Sequence, residues 1–390
     1  MAAIVYLDNA ATTPVDPAVL ERMLPYFSGK FGNPMTAGRS SLGDEARAAV
    51  ELARREVAAL IGARPEQLAF TSGGAESDNW AIKGASERAA LERGLERPHI
   101  VATAFEHAAV LESVEAMRRR GFEASLVRVG RDGIVDPGEL RRALRPETVL
   151  VSIMHANNEV GTIQPVAEAA RAARERGALL HVDAVQSAGH VPIDVDELGA
   201  DFLSISAHKF GGPKGAGALY ARDWRGIFPL VDGGGQEWGL RGSTHNVPGI
   251  VGLGAAAALA RERLPAEALR LAALRDRLHE GLAARCGRVK ANGDMRRRLP
   301  QNLNLRIEGI DNEALLMAMS EAGVVAAGCS ACSGGPAPLS RALLAMGLSA
   351  AEARSSLRLS LGAATGEEDI ERAVELISGI VRILRSRGAR

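Results

Sequence analysis

Apolar and polar residues follow two alternating periods along the first two-thirds of the chain. From Ala46 to Leu60 apolar residues recur every three or four positions and Gly62 follows as a stop, which predicts a helix. Similar helical patterns are centred near Ile82, Glu112, Leu140 and Ala170. Between them lie short apolar runs at Leu68–Thr71, His99–Thr103, Ala124–Val129, Val149–Met154, Leu179–Asp183, Phe202–Ser206 and Ala216–Tyr220. This alternation predicts an α/β domain with a mostly parallel seven-stranded sheet covered by helices.

After about residue 260 the pattern changes to that of a second, smaller α+β domain. Its predicted elements are helix Ala266–Ala284, strand Leu303–Ile307, helix Asn312–Ala322, strand Ser356–Ser360 and a terminal helix from Glu367. We therefore expect a large domain over residues 15–260 and a small domain formed by residues 1–14 and 261–390.

Charge, hydropathy and cysteine content argue against several protein classes. Lysine plus arginine and aspartate plus glutamate both number 47 in the 390 residues, so no net charge favours nucleic acid or an acidic membrane. No apolar run reaches the roughly 18 residues of a membrane-spanning helix, and Ile4–Asp8 has the pattern of a strand rather than of a secretion signal. The three cysteines, Cys286, Cys329 and Cys332, are too few for a disulfide framework and predict a reducing cytoplasm.

The segment Asp201–Gly217 holds the lysine on which the predicted chemistry depends. Asp201–Ser206 has the pattern of a buried strand, and Lys209 follows it just before a glycine-rich turn. A lysine between two buried strands loses hydration, so its neutral amine becomes more accessible, as Schiff-base chemistry requires. The alternative is a lysine whose charged end reaches solvent from a strand end.

A second candidate is the stretch Ser72–Asn79, which follows a predicted strand and opens a predicted helix. Unpaired backbone N–H groups and the positive end of the helix dipole would point at one spot there, which suits a phosphate. The alternative is an ordinary strand–helix turn capped by Ser72.

Polar side chains follow three more predicted strands. Asp183 ends one strand with Gln186 just beyond it, and His107 and Asn158 follow two others. The carboxylate could pair with a cationic ring nitrogen, the imidazole could stack on a flat ring or move protons, and the amide is a neutral donor. Any one of them alone could be a structural polar residue. Because ligands of such sheets bind beyond the carboxyl ends of the strands, this set together with Lys209 fits pyridoxal phosphate.

The loop Ala327–Pro336 contains Cys329 and Cys332 and shows no hydrophobic periodicity. A thiol in such a loop is expected to be accessible rather than packed in a core. The C-x-x-C spacing also admits a metal half-site or a redox pair. A structural zinc needs four ligands, however, and no second C-x-x-C or histidine pair accompanies it. We therefore expect no metal site.

Arg358 lies inside the short apolar strand predicted at Ser356–Ser360. A guanidinium group in such a strand needs a partner. That partner is either a substrate carboxylate bound through two hydrogen bonds or an internal salt bridge.

Taken together, these residues resemble the cysteine desulfurases, fold type I pyridoxal-phosphate enzymes related to class-V aminotransferases. The resemblance is closest to the branch that serves iron–sulfur cluster assembly and nitrogenase maturation. It extends over nearly the whole chain, from Tyr6–Pro14 to the strand of Arg358. The stretches that carry it are Phe70–Asn79, Ile153–Gly161, His181–Ser187, Ser206–Lys209, Gly233–Glu237 and Arg241–Thr244.

The resemblance implies that L-cysteine is converted to L-alanine and that its sulfur is left as a persulfide on Cys332. Lys209 would carry pyridoxal 5'-phosphate, His107 would lie over its ring, and Asp183 would meet the ring nitrogen. The remaining implied cofactor contacts are Gly74, Ala75, Asn158, Gln186, Ser206 and His208, with Thr244 reaching the phosphate of a neighbouring subunit in a homodimer. Asn33, Asn158 and Arg358 would hold the substrate. The sulfur would pass to an iron–sulfur scaffold or another acceptor protein, with no direct role for nucleic acid or a membrane.

Three positions depart from the pattern of this family. Ala75 stands where threonine is usual, so one phosphate hydroxyl is missing. The cysteine loop usually reads Gly-Ser-Ala-Cys, but here Cys329 replaces the glycine and could resolve or relay a persulfide. Gln301 replaces an asparagine beside the carboxylate pocket.

Three other functions remain open on the sequence alone. A selenocysteine lyase would differ in its preference between cysteine and selenocysteine. A class-V aminotransferase would not need a cysteine on an exposed loop. A cofactor-bound scaffold for sulfur-transfer partners would tolerate loss of Lys209, Asp183, His107 or Cys332, all of which are present.

Overall fold

A computed structural model describes residues 4–328 and 339–388 of the chain. Within these residues most of the strands are short, as is usual for a sheet covered by helices. They are β1 Val5–Tyr6, β2 Leu68–Thr71, β3 His99–Thr103, β4 Glu123–Val127, β5 Thr148–Met154, β6 Leu179–Asp183, β7 Phe202–Ser206, β8 Gly217–Ala221, β9 Val289–Ala291, β10 Asn302–Ile307, β11 Val324–Val325, β12 Ala327–Gly328 and β13 Ser356–Ser360.

The helices range from one turn to more than ten turns. They are α1 Pro17–Met23, α2 Ser41–Leu60, α3 Gly74–Trp80, α4 Ser86–Glu92, α5 Ala108–Arg119, α6 Pro137–Ala143, α7 Val166–Glu175, α8 Val195–Leu198, α9 Val247–Cys286, α10 Asn312–Glu321, α11 Arg341–Ala345, α12 Ala350–Arg354 and α13 Glu367–Gly388. A π-helical turn, Ala81–Ala85, joins α3 to α4. Within residues 4–328 and 339–388, no helix has both the length and the apolar character needed to cross a bilayer.

Seven strands form the central sheet in the order β2-β8-β7-β6-β5-β3-β4. The pairs from β7 to β4 are parallel, whereas β8 runs antiparallel to both of its neighbours. The predicted α/β class and the mostly parallel sheet are therefore confirmed. Four of the seven predicted strands match end for end, and β4, β5 and β8 differ by one or two residues at their ends.

A smaller antiparallel sheet, in the order β12-β13-β10-β9, lies in the second part of the chain. Beside it, β1 pairs in parallel with β11, so the amino-terminal strand joins elements more than 300 residues away. Strands β9, β11 and β12 were not predicted, because two or three residues are too few to display a period.

The predicted start of one helix, at Ala266, is wrong, because α9 begins at Val247. Its first part is buried almost without interruption from Val247 to Ala257, so it has no polar face to reveal a helical period. It packs closely on α2, because a Cβ at Gly254 would lie 2.5 Å from Ala53 Cα. Helix α9 runs through position 260, with its first part in the core of the large sheet and its last part in the core of the small sheet. The domain boundary stays a prediction.

Candidate active site

Lys209 lies in a short 3₁₀ turn, Ala207–Lys209, between β7 and the glycine-rich turn that leads to β8. Its Nζ donates hydrogen bonds to the carbonyl oxygens of Ala10 (2.7 Å) and Ala11 (2.9 Å) in the amino-terminal loop. Its own carbonyl oxygen accepts a hydrogen bond of 3.0 Å from His190 Nε2. The lysine is thus held between the carboxyl end of β7 and the first loop of the chain.

Asp183 is the last residue of β6 and is only 5% exposed. Its Oδ1 accepts a hydrogen bond of 2.9 Å from the backbone N–H of Val185. Burial, followed by the nearby carboxyl group of Asp78, raises its pKa to about 6, whereas His107 acts in the opposite direction. Within the described part of the chain Oδ2 has no hydrogen-bond partner, so a cationic ring nitrogen could bind there.

The turn between β2 and α3 brings the start of a helix close to the end of β6. Gly73 has a φ of +150°, a conformation that favours glycine. A Cβ at Gly74 would lie 2.5 Å from Val185 Cγ2, so a larger residue could not approach this closely. Ser206 is 3% exposed beside this turn, and its hydroxyl group has no hydrogen-bond partner among the described residues. A phosphate could therefore bind here, because it would accept hydrogen bonds from the free backbone N–H groups at the helix start, including that of Ala75, and from the hydroxyl group of Ser206.

Two further predicted cofactor residues contact the same amino-terminal loop as Lys209. Gln186 Nε2 donates a hydrogen bond of 2.9 Å to the carbonyl oxygen of Ala10, the same oxygen that accepts from Lys209 Nζ. His208 Nδ1 lies 3.1 Å from Thr12 Oγ1. Burial, followed by the charge of Lys209, lowers the pKa of His208 to about 4, so its imidazole is neutral at pH 7.

His107 is exposed at the first turn of α5, where its Nδ1 accepts a hydrogen bond of 3.1 Å from the N–H of Ala109. Its imidazole is one of the groups that oppose the rise in the pKa of Asp183. Since Nδ1 accepts this bond, the neutral ring carries its proton on Nε2.

Arg358 is 8% exposed in β13 and is held by two groups on other elements. Its Nη2 donates to Asp8 Oδ1 (2.8 Å) and its Nη1 to the carbonyl oxygen of Asn158 (3.2 Å), while its Nε is buried without a partner among the described residues. The internal salt bridge considered from the sequence is therefore present. The unpaired Nε shows that this pair does not satisfy the whole guanidinium group.

Asn33 and Thr244 form no hydrogen bond with another predicted site residue within the described part of the chain. Asn33 is exposed, and its Oδ1 caps a 3₁₀ turn by accepting a hydrogen bond of 3.0 Å from the N–H of Met35. Thr244 is exposed and lines a cavity of about 270 Å³ together with Ser72. Their roles stay predictions.

Cys329 and Cys332 lie outside the described residues, but the residues that flank their segment end at this site. Before it, Ala327 of β12 is paired with Arg358 of β13. After it, the Ser340 hydroxyl donates a hydrogen bond of 2.5 Å to Glu159 Oε2, next to Asn158. The described chain therefore stops and resumes beside the proposed substrate residues.

Two buried acids beside Asp183 were missed by the sequence reasoning. Asp78 is the fifth residue of α3, and Glu106 lies directly before His107; they are 1% and 6% exposed. Asp78 belongs to the stretch Ser72–Asn79 of the sequence analysis, and Glu106 directly precedes the candidate His107, so both were within reach. An acid at the buried face of a helix start would have been the signal.

A buried ion pair holds the loop that carries Thr244. Arg54 on α2 binds Glu237 through Nη1 (2.7 Å) and Nη2 (2.9 Å), and His245 Nε2 adds a contact of 2.8 Å to the same carboxylate. Burial works against ionisation, but the hydrogen bonds from Arg54 and His245 hold the pKa of Glu237 at about 2. Glu237 has a φ of +45°, so the loop keeps a strained conformation through this pair.

Replacing Glu237 by alanine is expected to destabilise the protein by about 3–5 kcal/mol, because buried Arg54 would lose its buried partner and keep only the exposed Glu51, at 3.3 Å. Denaturant unfolding measures the change. The matched control is Glu51→Ala, which removes the exposed partner of the same arginine and should cost no more than about 1 kcal/mol. Equal losses in the two variants would contradict the assignment.

A second prediction concerns the pH dependence of cofactor binding at Asp183. Because its raised pKa is about 6, the carboxyl group is anionic above that pH and neutral below it. Its attraction for a cationic ring nitrogen should be present above pH 6 and lost as the pH falls. We expect the ratio of cofactor affinities of the wild type and Asp183→Asn to fall with decreasing pH, measured by fluorescence titration of the cofactor-free proteins. The cofactor titrates equally in both measurements, so its own pH dependence cancels in the ratio. A ratio that stays constant with pH would contradict the prediction.

A larger cavity of about 520 Å³ lies away from these groups. It is bounded by residues 13–19, α9 and residues 362–369, and its lining is mostly apolar. It meets the surroundings of Lys209 at His190, Phe210 and Gly211 and the first loop at Asn9, but none of the predicted site residues that the structure describes lines it. The chemical groups, rather than the volume of the cavity, therefore define the candidate site.

The family model for aminotransferase class-V matches residues 5–373. The chain belongs to the class-V aminotransferase family. Among its relatives in this family are proteins named cysteine desulfurase IscS. Those from Anaeromyxobacter dehalogenans (strain 2CP-C) and Methanosarcina thermophila are 47% and 45% identical over 383 and 382 residues. Both alignments cover 98% of this chain and 93% of the relative.

Solved structures agree with this family assignment. A NifS-like protein superposes with a TM-score of 0.90 at 37% identity, covering 97% of this chain and all of the other. SspA in complex with cysteine gives a TM-score of 0.80 at 37% identity, covering 91% of this chain and 98% of the other. The predicted fold type and family resemblance are thereby confirmed.

Proposed function

We propose that this chain is a cysteine desulfurase that uses pyridoxal 5'-phosphate and delivers sulfur for iron–sulfur cluster assembly. The observation that carries the proposal is the meeting of two groups of residues. Lys209 donates a hydrogen bond to the carbonyl oxygen of Ala10, and Arg358 donates one to Asp8 in the same loop. Arg358 also pairs with Ala327, which lies just before the segment that contains Cys332. The proposal is supported by a cysteine desulfurase that is 47% identical over 98% of this chain.

The site residues fit the cofactor on the features described above. Ser206, His208 and the N–H groups of Gly74 and Ala75 would hold the phosphate, and Asp183 Oδ2 would hold the ring nitrogen. Gln186 and Asn158 would reach the ring hydroxyl group and the substrate. When bound, the cofactor supplies an electron sink for the bonds at the substrate's α-carbon.

Substrate binding is the task of Arg358, Asn158 and Asn33. A substrate carboxylate would accept hydrogen bonds from the guanidinium group, including the buried Nε that has no partner within the described residues. Asp8 on Nη2 keeps the arginine in place before the substrate arrives. Lys209 Nζ, at rest the attachment point of the cofactor, serves as the base for the Cα proton.

Sulfur transfer is the task of Cys332. Its thiolate attacks the substrate Sγ, so that an S–S bond forms and the Cβ–Sγ bond breaks with its electron pair left on carbon. Protonation of that carbon and return of a proton to Cα yield L-alanine, and Cys332 keeps the sulfur as a persulfide. His107 and Lys209 are the nearby groups that can move the protons.

The assembly and location are parts of the same proposal. The chain acts as a homodimer, with Thr244 reaching the phosphate of the neighbouring subunit, and works in the cytoplasm. The persulfide then passes to an iron–sulfur scaffold or another sulfur-acceptor protein.

The decisive experiment is to incubate the purified holoenzyme with L-cysteine and to measure alanine and persulfide together. We expect one alanine for each sulfur transferred, and mass spectrometry should locate the extra sulfur on Cys332. Alanine formed from L-cysteine without any protein-bound persulfide would overturn the proposed route.

A further inference from the structure

Three carboxyl groups are buried next to one another where the cofactor ring is proposed to bind. Asp183 ends β6, Asp78 packs on the same strand from α3, and Glu106 reaches the neighbouring strand β5. They are 5%, 1% and 6% exposed. Three negative charges in such a space would repel one another and would lose most of their hydration.

Asp78 has no positively charged partner among the described residues. Its Oδ1 lies 3.5 Å from His181 Nε2 and is buried without a hydrogen bond. His181 uses its two nitrogens for Ser152 (2.9 Å) and Ser204 (3.0 Å). Burial lowers the pKa of His181 to about 4, so it offers Asp78 no charge at pH 7. Burial also raises the pKa of Asp78 to about 7.

Glu106 is placed by two hydrogen bonds to one of its oxygens. Oε1 accepts from the Thr103 hydroxyl (2.6 Å) and from the N–H of Met154 (2.8 Å), while Oε2 is buried without a partner within the described chain. Met154 is the register partner of Asp183 in β6. Burial raises the pKa of Glu106 well above its usual value, and the nearby carboxyl groups of Asp183 and Asp78 raise it further.

Asp183 differs from the other two acids in its surroundings. A backbone N–H donates to its Oδ1, and the titratable groups facing it include Asp78, Glu106, His107 and His181. A pyridine nitrogen would add a positive partner at Oδ2. Of the three acids, it is therefore the one on which a negative charge costs least.

We propose that Asp78 and Glu106 are positioning residues that stay protonated, so that the three acids carry one negative charge and Asp183 carries it. This arrangement rests on the proposed function, because it gives the cofactor ring nitrogen a single counterion at a fixed place. Protonated carboxyl groups are very weak bases, so Asp78 and Glu106 do not compete with Asp183 for the ring proton.

Infrared difference spectroscopy of the holoenzyme near pH 6, below the pKa of about 7 of Asp78, tests this proposal. Protonated carboxyl groups and carboxylates absorb at separate frequencies. We expect Asp78→Asn and Glu106→Gln each to lose a protonated-carboxyl band, and Asp183→Asn to lose only carboxylate bands. The matched control is Glu76→Gln on α3, whose carboxylate is bound by Arg241 at 2.8 Å and should also lose only carboxylate bands.

Loss of a carboxylate band in Asp78→Asn or Glu106→Gln would overturn the proposal for that residue. If either variant fails to fold, wild-type protein labelled with ¹³C-carboxyl aspartate or glutamate reports the same bands without a substitution. The infrared result does not depend on turnover, so failure of this inference is distinguishable from failure of the desulfurase proposal, which the alanine assay decides.

Discussion

The Lys209→Ala protein is expected to lose both the visible absorbance of a lysine-linked pyridoxal group and all measurable alanine production. Lys209 Nζ is held by two carbonyl oxygens, at 2.7 and 2.9 Å, and alanine has no amine to attach the cofactor. Loss of a positioned base alone lowers a rate by roughly 10²–10⁴-fold, and loss of the attachment point adds to this. Absorbance spectra and alanine assays measure the two effects.

The matched control for Lys209→Ala is Lys214→Ala. Lys214 is exposed in the same glycine-rich turn, five positions further along. We expect this variant to keep the visible absorbance and most of its activity. A coloured, active Lys209→Ala protein, or equal losses in both variants, would remove Lys209 from its assigned role.

The second large effect is expected for Cys332→Ala, which should keep the visible absorbance and lose sulfur transfer to background. The cofactor contacts assigned above do not involve this residue, so the absorbance should survive, whereas the substrate sulfur would lack its acceptor. Persulfide mapping and sulfide release after addition of L-cysteine and a reductant measure the loss.

Cys329→Ala is the matched control, because it removes a thiol from the same segment and leaves Cys332 in place. We expect it to keep alanine production and the persulfide on Cys332. If Cys332→Ala still forms a persulfide, on Cys329 or on the buried Cys286, then the acceptor has been assigned to the wrong cysteine.

The fold and several parts of the site could be predicted from the chain itself. Alternating apolar runs and amphipathic segments placed the strands of the large sheet to within two residues, because strands buried on both faces are continuously apolar. The polar residues that follow those strands were located at the same time, since each lies directly after a recognisable run. Lys209, Asp183, His107 and Asn158 are of this kind.

Helix α9 shows where such patterns fail. Its first part is buried on all sides, and a helix without a polar face has no period to detect. The partners of the site residues were equally out of reach. The ion pair of Arg54 with Glu237 joins residues 183 positions apart, and that of Arg358 with Asp8 joins residues 350 apart.

By itself, the sequence determined the α/β class, the order of the elements, the family and the chemical types of the side chains at the strand ends. These depend on local periodicity and on short motifs, which are properties of neighbouring residues. Only the tertiary structure decided which titratable groups lie near one another, which are paired and which are buried. Protonation depends on distance and hydration, and both are set by residues far apart in the chain. That is why Asp78 and Glu106 became visible as neighbours of Asp183 only after folding had brought three strands and a helix together.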